Sequence, residues 1–260
     1  MRYFIFTIVA LSILAHGASC QEKNIEFDGA RVDNHFDMFF TLPVAAEFDR
    51  STFIYFGGDY CIVQQPVEKI ISERRKIDGK DSLVRKKSLT YYRSFITRKN
   101  QKFGLVYDSL QAVKARAKYP VDSLINDELV FPKHFYPLID SLARLVKSTK
   151  DLSSGDVIER FEIINPKPGK PDSLYYYYSS APIAIPLINP SVKNSDLFLW
   201  KFEAIMAAKV VDVPSYKGPL PRKKWSVEIN KIIVQNKAEL LQFIQKFNRD
   251  EEIYLKQHSN

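Results

Sequence analysis

Thr52-Phe53-Ile54-Tyr55-Phe56-Gly57-Gly58-Asp59-Tyr60-Cys61-Ile62-Val63 is the stretch that decides the fold class. Two runs rich in aromatic and β-branched residues flank a Gly-Gly pair, and glycine supplies the positive φ angles that a two-residue hairpin turn requires. Reading outward, Lys69 to Ile77 meets Asp78-Gly79, a second hairpin signal, before a strand-like run from Leu83. Leu89, Tyr91 and Phe95 then alternate with Tyr92, Ser94 and Ile96, as the period of two in a strand demands. Lys99-Asn100 turns the chain into Lys102 to Tyr107, where Phe103, Leu105 and Tyr107 share a face. Residues 51 to 108 therefore read as a twisted antiparallel meander, not a βαβ unit.

The second half of the chain changes character. Phe135, Leu138, Ile139, Leu142, Leu145 and Val146 recur at steps of three and four, and Pro137 is tolerated in a first turn, which predicts an amphipathic helix near 136–147. Val157 to Ile164 and Leu174 to Ser179 read as strands, separated by the proline-rich loop 165–171. Leu197 to Val211 fits strand and helix equally: Phe198, Trp200 and Phe202 alternate, whereas Ala204, Met206, Ala207 and Ala208 favour a helix. Trp225 to Val234 looks extended, and Asn236 with Glu239 three residues on opens a C-terminal helix with Leu240, Leu241, Ile244 and Phe247 as its apolar stripe. The expected fold is α+β, a meander-rich antiparallel sheet covered by a few helices.

Composition sets the outer bounds. A hydrophobic fraction of 45% with 26% charged residues is that of a folded domain and excludes general disorder. Two cysteines, Cys20 and Cys61, exclude a disulfide scaffold, and the apolar run around Cys61 makes it a buried structural thiol.

The first twenty residues form a three-part export signal. Arg2 precedes the apolar run Phe4 to Ala15, and the small residues Gly17, Ala18 and Ser19 lead into Cys20. A helix of about a dozen residues covers roughly 18 Å, short of the ~30 Å hydrocarbon core, so the segment reads as a cleaved signal and not a membrane span. Gly17-Ala18-Ser19-Cys20 resembles the lipobox of bacterial lipoproteins, departing from it at Gly17, where that motif usually carries Leu. The resemblance covers the signal alone and implies that Cys20 is acylated and becomes the mature N-terminus. Ordinary cleavage after Ser19 or Cys20 is the alternative, giving a secreted soluble protein. The expected organisation is a signal at 1–19, a tether at 20–35 and one domain at 36–260, with 165–171 as its only sub-boundary.

For function, the chain has no phosphate-binding glycine loop, no Gly-x-Ser-x-Gly elbow and no His-Glu-x-x-His helix, so no catalytic residue or cofactor is assigned. Asp33, His35 and Asp37 would project from one face of a strand and are the weak candidates for a divalent metal. The net charge of +8 is concentrated at 68–102, and Arg74, Arg75, Arg85, Lys86 and Lys87, with Arg222, Lys223 and Lys224, are the candidate surface for an anionic glycan, lipid or envelope protein. Nucleic acid is the least favoured of the anionic partners. Tyr175, Tyr176, Tyr177 and Tyr178 place two rings on each face of a strand, one pair for the core and one for an aromatic contact. The reading is an exported, lipid-anchored envelope protein with a binding or structural role, on the periplasmic or outer-membrane side, the membrane engaged through the Cys20 lipid. The alternative is an exported, glycan-directed hydrolase built from carboxylates gathered in space, since such chemistry leaves almost no linear signature.

Overall fold

The computed structural model describes residues 25–77, 80–123, 143–179 and 197–257. Its strands are β1 (Phe27–Thr41), β2 (Val44–Gly57), β3 (Tyr60–Ile77), β4 (Lys80–Arg98), β5 (Phe103–Tyr107), β6 (Ala117–Pro120), β7 (Ala143–Lys150), β8 (Val157–Ile163), β9 (Ser173–Ser179), β10 (Phe198–Met206), β11 (Lys209–Val213), β12 (Tyr216–Leu220) and β13 (Lys223–Ile232). Apart from a single helical turn at Val121–Ser123, the one helix among the described residues is α1 (Lys237–Gln257). Eleven strands form one antiparallel sheet in the order β6-β5-β4-β3-β2-β1-β13-β10-β9-β8-β7, and β11-β12 make a separate hairpin.

This corrects the α+β expectation: the fold is mostly β, with one covering helix instead of several. The helix expected near 136–147 is overturned over its described part, because 143–147 lie in β7; residues 136–142 fall outside the described residues. The cause is a bulge between Leu145 and Lys147 in the β7–β8 ladder, which inserts a residue and breaks the period of two. In the undecided stretch 197–211, residues 198–206 are β10 and 209–211 open β11. The terminal helix is present, with the Leu240 amide donating to the Asn236 carbonyl at 3.1 Å.

Turn chemistry set the hairpins. Gly58 and Asp59 are the two turn residues between β2 and β3, with Gly58 at φ 56°, so the positive φ falls on the second glycine while Gly57 pairs with Tyr60. Asn100 at φ 66° closes the β4–β5 turn, where asparagine tolerates the left-handed region. β1 begins at Phe27 and lies at the middle of the sheet, so residues 27–35, assigned above to a tether, are sheet. The 165–171 loop joins β8 to β9, which pair directly from Val157↔Tyr178 to Glu162↔Ser173.

Two cores lie on opposite faces. On one face Phe27, Tyr55, Ile62, Ile96, Leu105 and Tyr107 pack under Leu240, Phe243, Ile244 and Phe247 of α1. Polar bonds fasten the helix: Asp250 accepts from the Tyr107 hydroxyl at 2.9 Å and the Ala115 amide at 3.0 Å, and Lys246 Nζ donates to the carbonyls of Leu110 and Ala112, both at 2.6 Å. On the other face Val32, Ile54, Val63, Phe95, Tyr176, Phe202, Trp225 and Val227 form a continuous apolar layer joined by Val211 and Leu220 of the hairpin. Burial pushes the Cys61 thiol up, so it is an inert core residue.

β3 and β4 outrun their neighbours. β2 pairs with β3 only over Phe53–Gly57 with Tyr60–Gln64, and β4 with β5 only over Ser94–Ile96 with Leu105–Tyr107. From Gln65↔Arg93 to Ile77↔Lys80, the two strands pair only with each other among the described residues.

Candidate functional site

Strand alternation puts Asp33, His35 and Asp37 on one face of β1, as their spacing predicts, but each has its own partner. Asp33 accepts from Arg31 Nε at 2.8 Å, Ser51 Oγ at 2.6 Å and Asn230 Nδ2 at 3.2 Å. His35 Nδ1 meets Asp49 Oδ1 at 2.7 Å, and Asp37 is paired with Lys223. Among the described residues no group of three or more His, Cys, Asp or Glu side chains is gathered for a metal ion.

The basic candidates separate into two places. Arg74, Arg75, Arg85, Lys86 and Lys87 all lie in the protruding β3–β4 ribbon, with Glu73↔Arg85, Ser72↔Lys86 and Ile71↔Lys87 in register and a bulge between Glu73 and Arg74. Lys223 and Lys224 open β13 and Arg222 immediately precedes it, on the far side of β1 and β2. Two of these three carry carboxylate partners, Lys223 on Asp37 and Lys224 on Glu203 at 3.5 Å, which leaves Arg222 as the exposed charge there. Cys20 falls outside the described residues.

The tyrosine run divides two and two. Tyr176 and Tyr178 are buried in the apolar layer, whereas Tyr175 and Tyr177 are half-buried on the opposite, polar face. There the Tyr177 hydroxyl donates to Glu203 Oε2 at 2.8 Å, Lys201 lies 3.4 Å from Glu203 and 3.6 Å from Glu228, and the Lys201 ammonium stands 5.2 Å over the Tyr177 ring. Burial by itself would raise the Glu203 carboxyl; Tyr177, Lys201 and Lys224 outweigh it and hold it below its ordinary value, while burial and Glu203 push the Tyr177 phenol up. A carboxyl depressed on folding contributes stability that is present above its unfolded value of 4.5 and is lost as pH falls through the lower folded value. Urea midpoints measured between pH 7 and pH 3 are therefore expected to fall more steeply for the wild type than for Glu203→Gln.

A cavity beside the base of the β3–β4 ribbon is a site that no motif flagged. Gln65, Arg93, Phe95, Val106, Arg116 and Tyr119 line a space of ≈ 190 Å³ where β4 leaves the sheet for the ribbon. Arg93 pairs in register with Gln65, itself buried, and the Arg93 Nε is shielded from solvent with no hydrogen-bond partner. Arg116 Nη1 is held 3.1 Å from Asp108. Two guanidinium groups thus meet three apolar side chains in one small space, an arrangement suited to a ligand with an anionic group and an apolar body. Arg93 was readable only as one of many basic residues; the signal that distinguishes it is its place on the same alternating face as Tyr91 and Phe95.

No family model matches the chain, and no curated protein does. Among solved structures, a LolA superfamily protein from Nitrosomonas europaea aligns over 81% of this chain and 87% of its own length, with 9% identity and a TM-score of 0.27. The two chains superpose too poorly for fold or function to be carried from one to the other.

Proposed function

We propose that the chain is an exported, lipid-anchored envelope protein that binds an anionic amphiphile, with the anionic group at Arg93 and Arg116 and the apolar part against Phe95, Val106 and Tyr119. The observation that carries this reading is the meeting of two guanidinium groups, Arg93 with its Nε shielded and without a partner and Arg116, with Phe95, Val106 and Tyr119 in one cavity. An anionic ligand gains charge-assisted hydrogen bonds from the two guanidinium groups that a neutral ligand of the same shape does not, so the site favours anions. Export and anchoring rest on the signal and on the lipobox-like Gly17-Ala18-Ser19-Cys20.

The test uses protein isolated from its own envelope. Octyl phosphate is expected to bind at least about tenfold more tightly than n-octanol in titration calorimetry, since a charge-assisted hydrogen bond contributes on the order of 1.5–3 kcal/mol. Arg93→Leu is expected to remove that preference, and the mature N-terminus to carry the mass of an acylated Cys20. Equal affinity for the two ligands, or a preference unchanged in Arg93→Leu, defeats the site; an unmodified N-terminus defeats the anchor.

A further inference from the structure

A second cavity lies at the other end of the sheet. Asp151, Asp156, Val157, Tyr177, Tyr178 and Trp200 are among the residues that line a space of ≈ 410 Å³ beside the β7–β8 turn. A bulge creates it: Leu199 pairs with Tyr178 and Lys201 with Tyr177, so Trp200 is the extra residue of β10. Bulges re-aim side chains, and this one sets the indole against the Tyr177 ring, at a centroid distance of 5.9 Å and an angle of 59°. In the same lining, the turn fixes the Asp151 carboxylate and the Asp156 backbone. Asp151 Oδ1 accepts from the Ser153 amide at 2.8 Å and hydroxyl at 2.6 Å, and the Asp151 amide donates to the Asp156 carbonyl at 2.8 Å. The Ser153 bonds hold the Asp151 carboxyl below its ordinary value.

We propose that this cavity is a saccharide subsite, in which the Trp200 indole, braced by Tyr177, stacks on the C–H face of a neutral pyranose while Asp151 and Asp156 accept its hydroxyls. The ligand class follows from the geometry. A flat ring with apolar C–H groups on its faces and hydroxyls at its edge matches an aromatic wall flanked by charged acceptors, each bond being charge-assisted. A quaternary ammonium is the competing ligand for aromatic residues beside carboxylates. It fits less well, because the two ring centroids, 5.9 Å apart, leave no gap for a cation between them. The Lys201 ammonium, moreover, already occupies the cation position over Tyr177.

The test is saturation-transfer NMR on the mature protein with cellobiose and N,N′-diacetylchitobiose as probes. Saturable transfer to the ring protons of at least one disaccharide is expected, weakened about tenfold in Trp200→Leu and reduced in Asp156→Asn, with Tyr175→Phe unchanged as the control outside the cavity. Should Trp200→Leu fail to fold, Asp156→Asn alone decides. Absence of saturable transfer from both sugars, transfer unaffected in the folded variants, or displacement of bound sugar by tetramethylammonium chloride more readily than by a second sugar overturns the proposal.

Discussion

Trp225→Ala is expected to be the most damaging single substitution in the sheet, lowering stability by at least about 4 kcal/mol. The residue stands where the two halves of the sheet meet, opposite Phe36 of β1 and Ala204 of β10. Its ring lies edge-on to Phe36 at 5.7 Å and to Phe202 at 5.6 Å, so truncation opens a cavity bounded by both halves. The indole Nε1 also donates to Asn34 Oδ1 at 2.8 Å, and Asn34 is buried. Losing the donor adds the cost of an unmet buried carbonyl, about 1–3 kcal/mol. Trp225→Phe separates the two effects, since it keeps most of the ring and loses only the donor. Denaturant unfolding of both variants measures them, and equal losses for Ala and Phe would contradict the account.

The second large effect belongs to the helix. Phe243 is almost wholly buried, lies edge-on to Tyr107 at 4.8 Å and has the Lys246 ammonium 4.8 Å over its ring. Phe243→Ala is expected to cost about 3–5 kcal/mol, a fall in Tm of roughly 6–20 °C for a chain of this size. Ile253→Ala on the same helix is expected to change stability by less than about 0.5 kcal/mol, because Ile253 is largely exposed. Calorimetric melts of the pair test whether α1 is part of the fold's core. A small shift for Phe243→Ala would mean that the sheet holds without it.

The sequence disclosed the hairpins and the helix because their signals are local. Gly58, Asn100 and Asn236 each act within a few residues of themselves, and alternation along β4 and β5 needs no knowledge of partners. What stayed hidden depends on bulges. In β10 the extra residue at Trp200 puts Leu199 and Phe202, three apart, both into the buried layer, a spacing that imitates a helix. In β7 the bulge after Leu145 does the same on a strand whose Leu145 and Val146 are exposed, so neither period is clean. The candidate sites follow the same division. The facing of Asp33, His35 and Asp37 and the two-and-two division of Tyr175 to Tyr178 came from alternation alone. The partners that occupy Asp33, His35 and Asp37 come from strands and side chains far along the chain, Asp49, Asn230 and Lys223 among them, and no spacing rule supplies those. Arg93 was missed as a site because a cavity is formed by β3, β4, β5 and β6 together with the segment leading into β6.

The β1–β13 ladder carries a consequence for how the molecule comes into being. Gly29↔Ile232 through Asp37↔Lys224 stitch the first strand to the last, about two hundred residues away, and among the described residues that seam is the one strand pairing between the β1–β6 meander and the strands β7–β10. The meander can form early from neighbours in sequence, but its inner edge, β1, stays open until β13 has been made. Closing so large a loop is slow, and the waiting edge is a template for wrong partners. A chain that ends before β13 leaves the β1 edge unpaired, and it is expected to aggregate more readily than the complete chain.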